Sequence, residues 1–164
     1  MSYSVTVLDL TVIDQEDDTY RITTPTAVDD LAVSIRHAGL INPPILFKKQ
    51  DRYRIVAGFR RIAAMQQLNC RQISARVMPM ESSALECIRV AIADNTSQRK
   101  LDLLEVSRAL ALLDACVEDR EYLFKEAKSL GLPDNHHHIE KIMGLCRLPQ
   151  LIQTGVFLNR ISLN

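Results

Sequence analysis

The chain has 164 residues, and 20 Lys and Arg balance 20 Asp and Glu, so the formal net charge is zero. Hydrophobic residues at 47% and charged residues at 24% fit an ordinary soluble protein of one domain or two small ones, and the balance excludes a chain that is basic all over, so any nucleic-acid contact must come from a local patch. No apolar run is long enough to span a bilayer, no basic-then-apolar leader follows Met1, and Cys70, Cys87, Cys116 and Cys146 lack the paired spacing of zinc ligands, which together predict a cytoplasmic protein with reduced thiols and no membrane partner.

Val5 to Ile13 is rich in β-branched residues and reads as a first strand, with Val5 and Val7 on one face and Leu8, Leu10 and Val12 on the other. Asp14 to Thr24 is polar and acidic, a loop interrupted by Tyr20-Arg21-Ile22. Pro25-Thr26 opens a helix with Asp29 and Asp30 in its first turn, where carboxylates suit the dipole, and with Val28, Leu31 and Ile35 at helical spacing. Gly39 ends it as a left-handed cap, Leu40 folds back onto the last turn, and Pro43-Pro44 blocks continuation. Ile45, Leu46 and Phe47 form a second strand, and the polar turn Lys48 to Arg52 joins it in a hairpin to the strand from Tyr53.

The stretch Tyr53 to Leu68 then passes from strand formers to helix formers, with Gly58 at the switch. A glycine there permits a tight turn and the close approach of another group. Arg60 and Arg61 enter the helix, which is the unfavourable sign for a helix start. A phosphate between them would satisfy the unpaired N–H groups, the dipole and both guanidiniums. Two arginines on a solvated first turn are the other reading of these residues. Ile73 to Met78 gives a further strand, stopped by Pro79, and a helix runs from Ser82 or Ser83 to about Asp94 or Asn95 with Leu85, Ile88 and Ile92 on one face. The first half is therefore mixed α and β.

From Leu101 onward only helical patterns remain. Asp102 and Glu105 make a capping box ahead of a stripe of Leu103, Val106, Leu110, Leu113 and Val117. A second helix covers about Arg120 to Leu130, with Leu123, Phe124, Ala127 and Leu130 inward and Gly131 as its cap. A third starts near Asn135, with Ile139, Ile142, Met143 and Cys146 inward, and ends before Pro149. Short helix, Gly turn, short helix is the helix-turn-helix pattern, though a small helical bundle has the same periodicity. Thr96 to Lys100 is the expected hinge between a domain at 1–98 and a helical domain at 99–164.

Leu31 to Pro43, with its Arg36-His37-Ala38-Gly39-Leu40-Ile41-Asn42 core, resembles the first box of the ParB family of bacterial plasmid- and chromosome-partition proteins. Gly58-Phe59-Arg60-Arg61-Ile62-Ala63-Ala64 resembles that family's Gly-Glu-Arg-Arg box, and Asp94-Asn95-Thr96-Ser97-Gln98-Arg99 followed by Leu101 and Glu105 resembles its third box. Gly131 with Leu145 to Pro149 is similar to its helix-turn-helix, so the resemblance extends from about Leu8 to Ile161. It implies an α+β N-terminal ParB/sulfiredoxin-like domain followed by an all-α helix-turn-helix domain. The implied function is a CTP-responsive, clamp-like DNA-binding protein of partition or related regulation, nucleoid-associated, homodimeric, and served by a ParA-type ATPase.

Carried over by position, Gly58, Phe59, Arg60 and Arg61 would cradle the phosphates, with Arg99 as a further phosphate contact. Gly39, Leu40, Ile41 and Pro43 would border the base, and Arg21 loosely matches an early arginine of the family. Asp94 and Asn95 would hold Mg2+, which favours carboxylate and amide oxygens beside phosphate; a plain helix end is the alternative. DNA would meet Asn135, His136, His137, Lys141 and Arg147, of which Asn135 alone is a conventional base reader besides the two fixed cations. Consecutive histidines on a helix point in different directions, so a solvated helix start is favoured over a metal site there.

The departures are informative. Phe59 replaces the family's Glu and removes a carboxylate from the phosphate site, so a weak CTPase activity is left open. Asp94 replaces a Glu, and the turn from Gly131 to Ile139 is about two residues longer than the family pattern. Sulfiredoxin, on the same fold, carries a Cys directly after this glycine; Phe59 here excludes that activity. Two alternatives stand beside the main reading: a DNA-binding adaptor or regulator that has lost the nucleotide, and a nucleotide-dependent enzyme on the same scaffold. Ile161-Ser162-Leu163-Asn164 reads as the start of another helix, which predicts a truncated chain.

Overall fold

In a computed structural model of the chain, which describes residues 2–157, the β-branched run near the N-terminus splits in two. β1 (Ser4–Asp9) ends where the Asp9 carboxylate accepts from the Thr11 N–H (3.0 Å) and hydroxyl (2.7 Å). This side-chain cap winds Leu10–Val12 into a 3-10 turn before β2 (Ile13–Asp14) resumes. The single strand expected from composition is thus broken by a local hydrogen bond.

α1 (Asp29–Ala38) starts later than Pro25, with Val28 at its N-cap and Asp29 and Asp30 in its first turn. β3 (Ile45–Lys49) and β4 (Arg52–Ala57) pair as the expected antiparallel hairpin, closed by Gln50 at φ 55. α2 (Phe59–Gln67) and β5 (Gln72–Met78) follow. The sheet order is β1-β5-β3-β4-β2, with β5 parallel to β3, β2 parallel to β4, and the other pairs antiparallel. Alternation along the strands places Leu46, Ile55, Ile73 and Ala75 on one face, where they bury against Ala32 and Ile35 of α1 and Phe59, Ile62 and Met65 of α2. Val5 and Val7 share the opposite side of β1 and are exposed.

The remaining elements are helical: α3 (Ala84–Thr96), α4 (Leu103–Asp114), α5 (Arg120–Ser129), α6 (His136–Met143), a 3-10 turn at Leu145–Arg147, and α7 (Gln150–Phe157). The capping box at α4 forms as expected, with Asp102 accepting from the Glu105 N–H (2.9 Å) and Glu105 accepting from the Asp102 N–H (3.1 Å). α5 closes with Gly131 at φ 73, the Leu132 N–H on Ala127 O (3.0 Å) and the Gly131 N–H on Lys128 O (3.2 Å), a Schellman ending with Leu132 buried. Leu103, expected inward, is exposed, and Leu104 takes the core position. α7 lies beyond the expected end at Pro149, because the Pro149 carbonyl starts a new helix by accepting from Ile152 and Gln153.

Packing divides the chain into two units, Met1–Arg21 with Pro25–Ser83, and Ile22–Thr24 with the chain from Ala84 onward. The three residues Ile22–Thr24 therefore pack with the helices. Ile22 is 1% exposed, and Arg108 of α4 donates to Ile22 O (3.3 Å) and Thr24 Oγ1 (2.9 Å). Among the described residues no helix is long and apolar enough to cross a membrane. The expected further helix from Ile161 lies outside the described residues.

Candidate functional site

Gly58 turns the chain from β4 into α2 at φ 98 and ψ 26, a conformation that strains any residue with a Cβ. A Cβ there would also lie 2.8 Å from Pro44 Cβ and 2.9 Å from Arg61 Nε. The helical ladder begins with the N–H groups of Arg61 and Ile62, both on Gly58 O, which leaves those of Phe59 and Arg60 outside it, pointing from the helix start. Phe59 buries its ring in the core, so what it offers an anion is its backbone N–H. Over that ring sits the Arg21 guanidinium, 4.3 Å from the centroid, with Asp18 also 3.1 Å from Arg21. Arg60 is exposed and donates to Ala27 O (3.2 Å). Arg61 folds back over the glycine and donates to Asn42 O (3.0 Å) and Pro43 O (3.1 Å). Both side chains donate to backbone carbonyls here, contacts that a phosphate can displace.

Arg61 thereby ties the Gly39–Pro43 loop to the Gly58 corner. Gly39 has φ 75 but ψ 178, so it is not the left-handed cap expected but a more extended form that is still a glycine conformation. Leu40 packs on the core and Ile41 is 83% exposed. A residue the sequence reading missed also holds this loop: Arg76 of β5 donates to Asn42 Oδ1 (3.1 Å) and Pro43 O (3.5 Å). Its signal is a lone charge inside the strand Ile73-Ser74-Ala75-Arg76-Val77-Met78.

Asp94, Asn95 and Arg99 belong to the second unit. Asn95 Nδ2 donates to Ala91 O (2.7 Å), so its Oδ1 is not used in that bond, while Asp94 Oδ2 accepts from Gln98 (2.9 Å). Among the described residues no group of three or more His, Cys, Asp or Glu is placed to hold a metal ion. Asp94 and Asn95 are adjacent residues on the last turn of α3, so a Mg2+ held by both would need most of its ligands from elsewhere. Arg99 makes a two-pronged pair with Glu105, Nη1 to Oε2 at 2.7 Å and Nη2 to Oε1 at 2.6 Å. Burial pushes the Glu105 carboxyl up, but the bonds from Arg99 and from the Asp102 and Thr24 N–H groups outweigh it and hold the group below the usual glutamate range. The pair and the Nη1 bond to Lys100 O (3.0 Å) leave the Nε edge of the half-exposed Arg99 side chain for a phosphate contact. Ser97, Gln98 and Arg99 keep their N–H groups on the last turn of α3, so the expected hinge lies inside this unit.

Asn135, His136, His137, Lys141 and Arg147 are all exposed around α6. Asn135 is the N-cap, accepting from the His138 N–H (3.1 Å), and His136 stacks on Phe124 of α5 with centroids 3.7 Å apart. The cap and the stack fix the start of α6 against α5.

Residues 2–96 match the ParB N-terminal domain family. Probable chromosome-partitioning protein ParB of Helicobacter pylori is 28% identical over 137 residues, covering 83% of this chain and 45% of that protein. A nucleoid occlusion protein of Oceanobacillus iheyensis is 29% identical over 137 residues, covering 82% and 46%. The chain thus spans less than half the length of these curated relatives. The fold is shared with C-terminally truncated ParB from Caulobacter crescentus complexed with CTP-gamma-S, at a TM-score of 0.51 and 23% identity over 97% of this chain and 87% of that one. The same protein complexed to the centromeric parS site gives 0.53 and 19% over 96% and 80%. The family match ends at residue 96 while α3 packs with the helices that follow, so the two boundaries differ by the length of α3. With more than half of its residues matching that domain, the chain belongs to the ParB family.

Proposed function

We propose that this chain is a CTP-responsive DNA-binding protein of the partition or nucleoid-occlusion kind. The observation that supports it most is the Gly58 corner: a left-handed glycine, two N–H groups outside the helical ladder, and the Arg60 and Arg61 guanidiniums beside them on the same first turn. Phosphates would take the corner, and the Gly39–Pro43 loop, held beside it by Arg61, would border the base. Asp94 and Asn95 would hold Mg2+, which would neutralise phosphate charge. The helix-turn-helix of α5 and α6 would meet DNA through Asn135, His136, His137, Lys141 and Arg147. Nucleotide would govern clamp-like association of two copies around DNA in the cytoplasm, with a ParA-type ATPase as a further partner.

Calorimetric titration of CTP, ATP and GTP with Mg2+ tests the reading. CTP is expected to bind best, and Arg61→Ala to abolish binding. A second reading, a DNA-binding adaptor that has lost the ligand, draws on the buried Phe59 ring and on Arg99 being held by Glu105. DNA binding with no heat from any nucleotide would favour it.

A further inference from the structure

The loop between α1 and β3 has few means of holding its shape. Ile41 is 83% exposed, and Pro43 and Pro44 have no N–H to give a neighbour. What the loop offers is acceptors, and two arginines from different elements take them. Arg61 of α2 holds the carbonyls of Asn42 and Pro43. Arg76 reaches Asn42 Oδ1 and Pro43 O with its side chain and Pro44 O with its backbone N–H (2.9 Å). It thus contacts three consecutive loop residues from a strand paired on both sides, by β1 and β3. Tyr3 lies under its guanidinium, 5.6 Å from ring centroid to Cζ.

The two holds differ in what a ligand does to them. Arg61 belongs to the helix start that would receive phosphate, and a phosphate adds a full opposite charge and a two-pronged acceptor geometry that a backbone carbonyl lacks. A bound phosphate therefore draws Arg61 off the loop carbonyls. Arg76 is anchored in the sheet, away from the start of α2 in the chain, and its contacts survive that exchange.

We propose that Arg76 is a positioning residue for the nucleoside end of the ligand. It keeps Asn42 and Pro43 in place while Arg61 moves to the phosphates. The inference rests on the nucleotide reading of the Gly58 corner. Loss of Arg76 should then be felt by a nucleotide, which uses the loop, and not by a bare polyphosphate, which uses only the corner.

The test is titration of CTP with Mg2+, and separately of inorganic triphosphate, into the full chain and its Arg76→Ala, Arg76→Lys and Asn42→Ala forms. Arg76→Ala is expected to weaken CTP roughly tenfold and triphosphate by less than about twofold. Lys at 76 restores part of the CTP affinity, because one donor of three can still reach the loop. Asn42→Ala, at an exposed position, gives a smaller loss for CTP alone and decides the matter if Arg76→Ala does not fold. Equal losses for CTP and triphosphate, or unchanged CTP binding in both Arg76→Ala and Asn42→Ala, overturn the positioning role. A wild-type chain that binds neither ligand overturns the reading of the corner itself, and this proposal with it.

Discussion

The Arg21 guanidinium lies over the ring of Phe59, 4.3 Å from its centroid, at the start of α2. Where the family's box has a carboxylate, this chain has a buried ring with a cation over its face. The substitution thus changes the local charge and adds to the core in one step. Cation–π contacts of this kind contribute roughly 0.5–2 kcal/mol, so most of what Phe59 supplies is apolar burial.

Replacing Phe59 by Ala should therefore cost about 3 kcal/mol of stability, read as a lower urea midpoint. Phe59→Leu keeps the apolar body and should cost about 1 kcal/mol while removing the ring contact of Arg21. If Leu and Ala prove equally damaging, the ring is held by its π face and the burial argument is wrong.

Gly58→Ala meets both a positive φ and a Cβ contact with Pro44 below 3 Å. The expected cost is about 2 kcal/mol, with Arg61 pushed from the Asn42 and Pro43 carbonyls. Thermal melting measures the first effect and chemical shifts of Asn42 and Pro43 the second. A melting point matching the wild type would mean that the corner relaxes freely.

Glu105 gives a pH signature. Its carboxyl titrates lower in the folded chain than in the unfolded one, so its contribution is complete above the ordinary glutamate value and fades as pH falls through the folded value. Asp9, Asp17 and Glu126 are lowered too and act in the same sense. The melting temperature should hold from neutral pH to about 5 and drop below about 4. In Glu105→Gln the drop should be shallower, from a starting stability about 1.5 kcal/mol lower because Arg99 and the Asp102 and Thr24 N–H groups lose a charged acceptor while Arg99 stays partly solvated. Parallel pH profiles for the two proteins would exclude Glu105 as a contributor.

Asn135 serves two masters in the proposed reading, cap and base reader. Asp caps a helix as well as Asn does, so Asn135→Asp should leave stability nearly unchanged, whereas Asn135→Ala should cost about 1 kcal/mol. The same Asp carries a charge that DNA repels. Undiminished DNA affinity in Asn135→Asp would remove this residue from the interface.

Much of the scaffold could be read from the residues themselves. The β4–Gly58–α2 corner, the β3–β4 hairpin, the Asp102 box and the Gly131 ending all depend on neighbours within about five positions in sequence. What escaped depends on distant partners. The Thr24 N–H finds Glu105 across 81 residues and Arg76 finds Asn42 across 34, and no periodicity reports such pairings. Leu8, Leu10 and Val12 pointed to an unbroken strand because the Asp9 cap that interrupts it is a matter of one side chain's geometry. The Arg99–Glu105 pair is local, yet the sequence marks Glu105 only as a cap, because its burial is set by distant neighbours.

Because Ile22–Thr24 pack among the helices, no single cut separates the two units cleanly. A fragment beginning at Ala84 would leave Arg108 without the Ile22 carbonyl and the Thr24 hydroxyl, and Glu105 without one of its donors. Dissecting this gene product into halves would therefore call for a short peptide spanning residues 22–24 to be returned to the helical half, by addition or by rewiring the chain order.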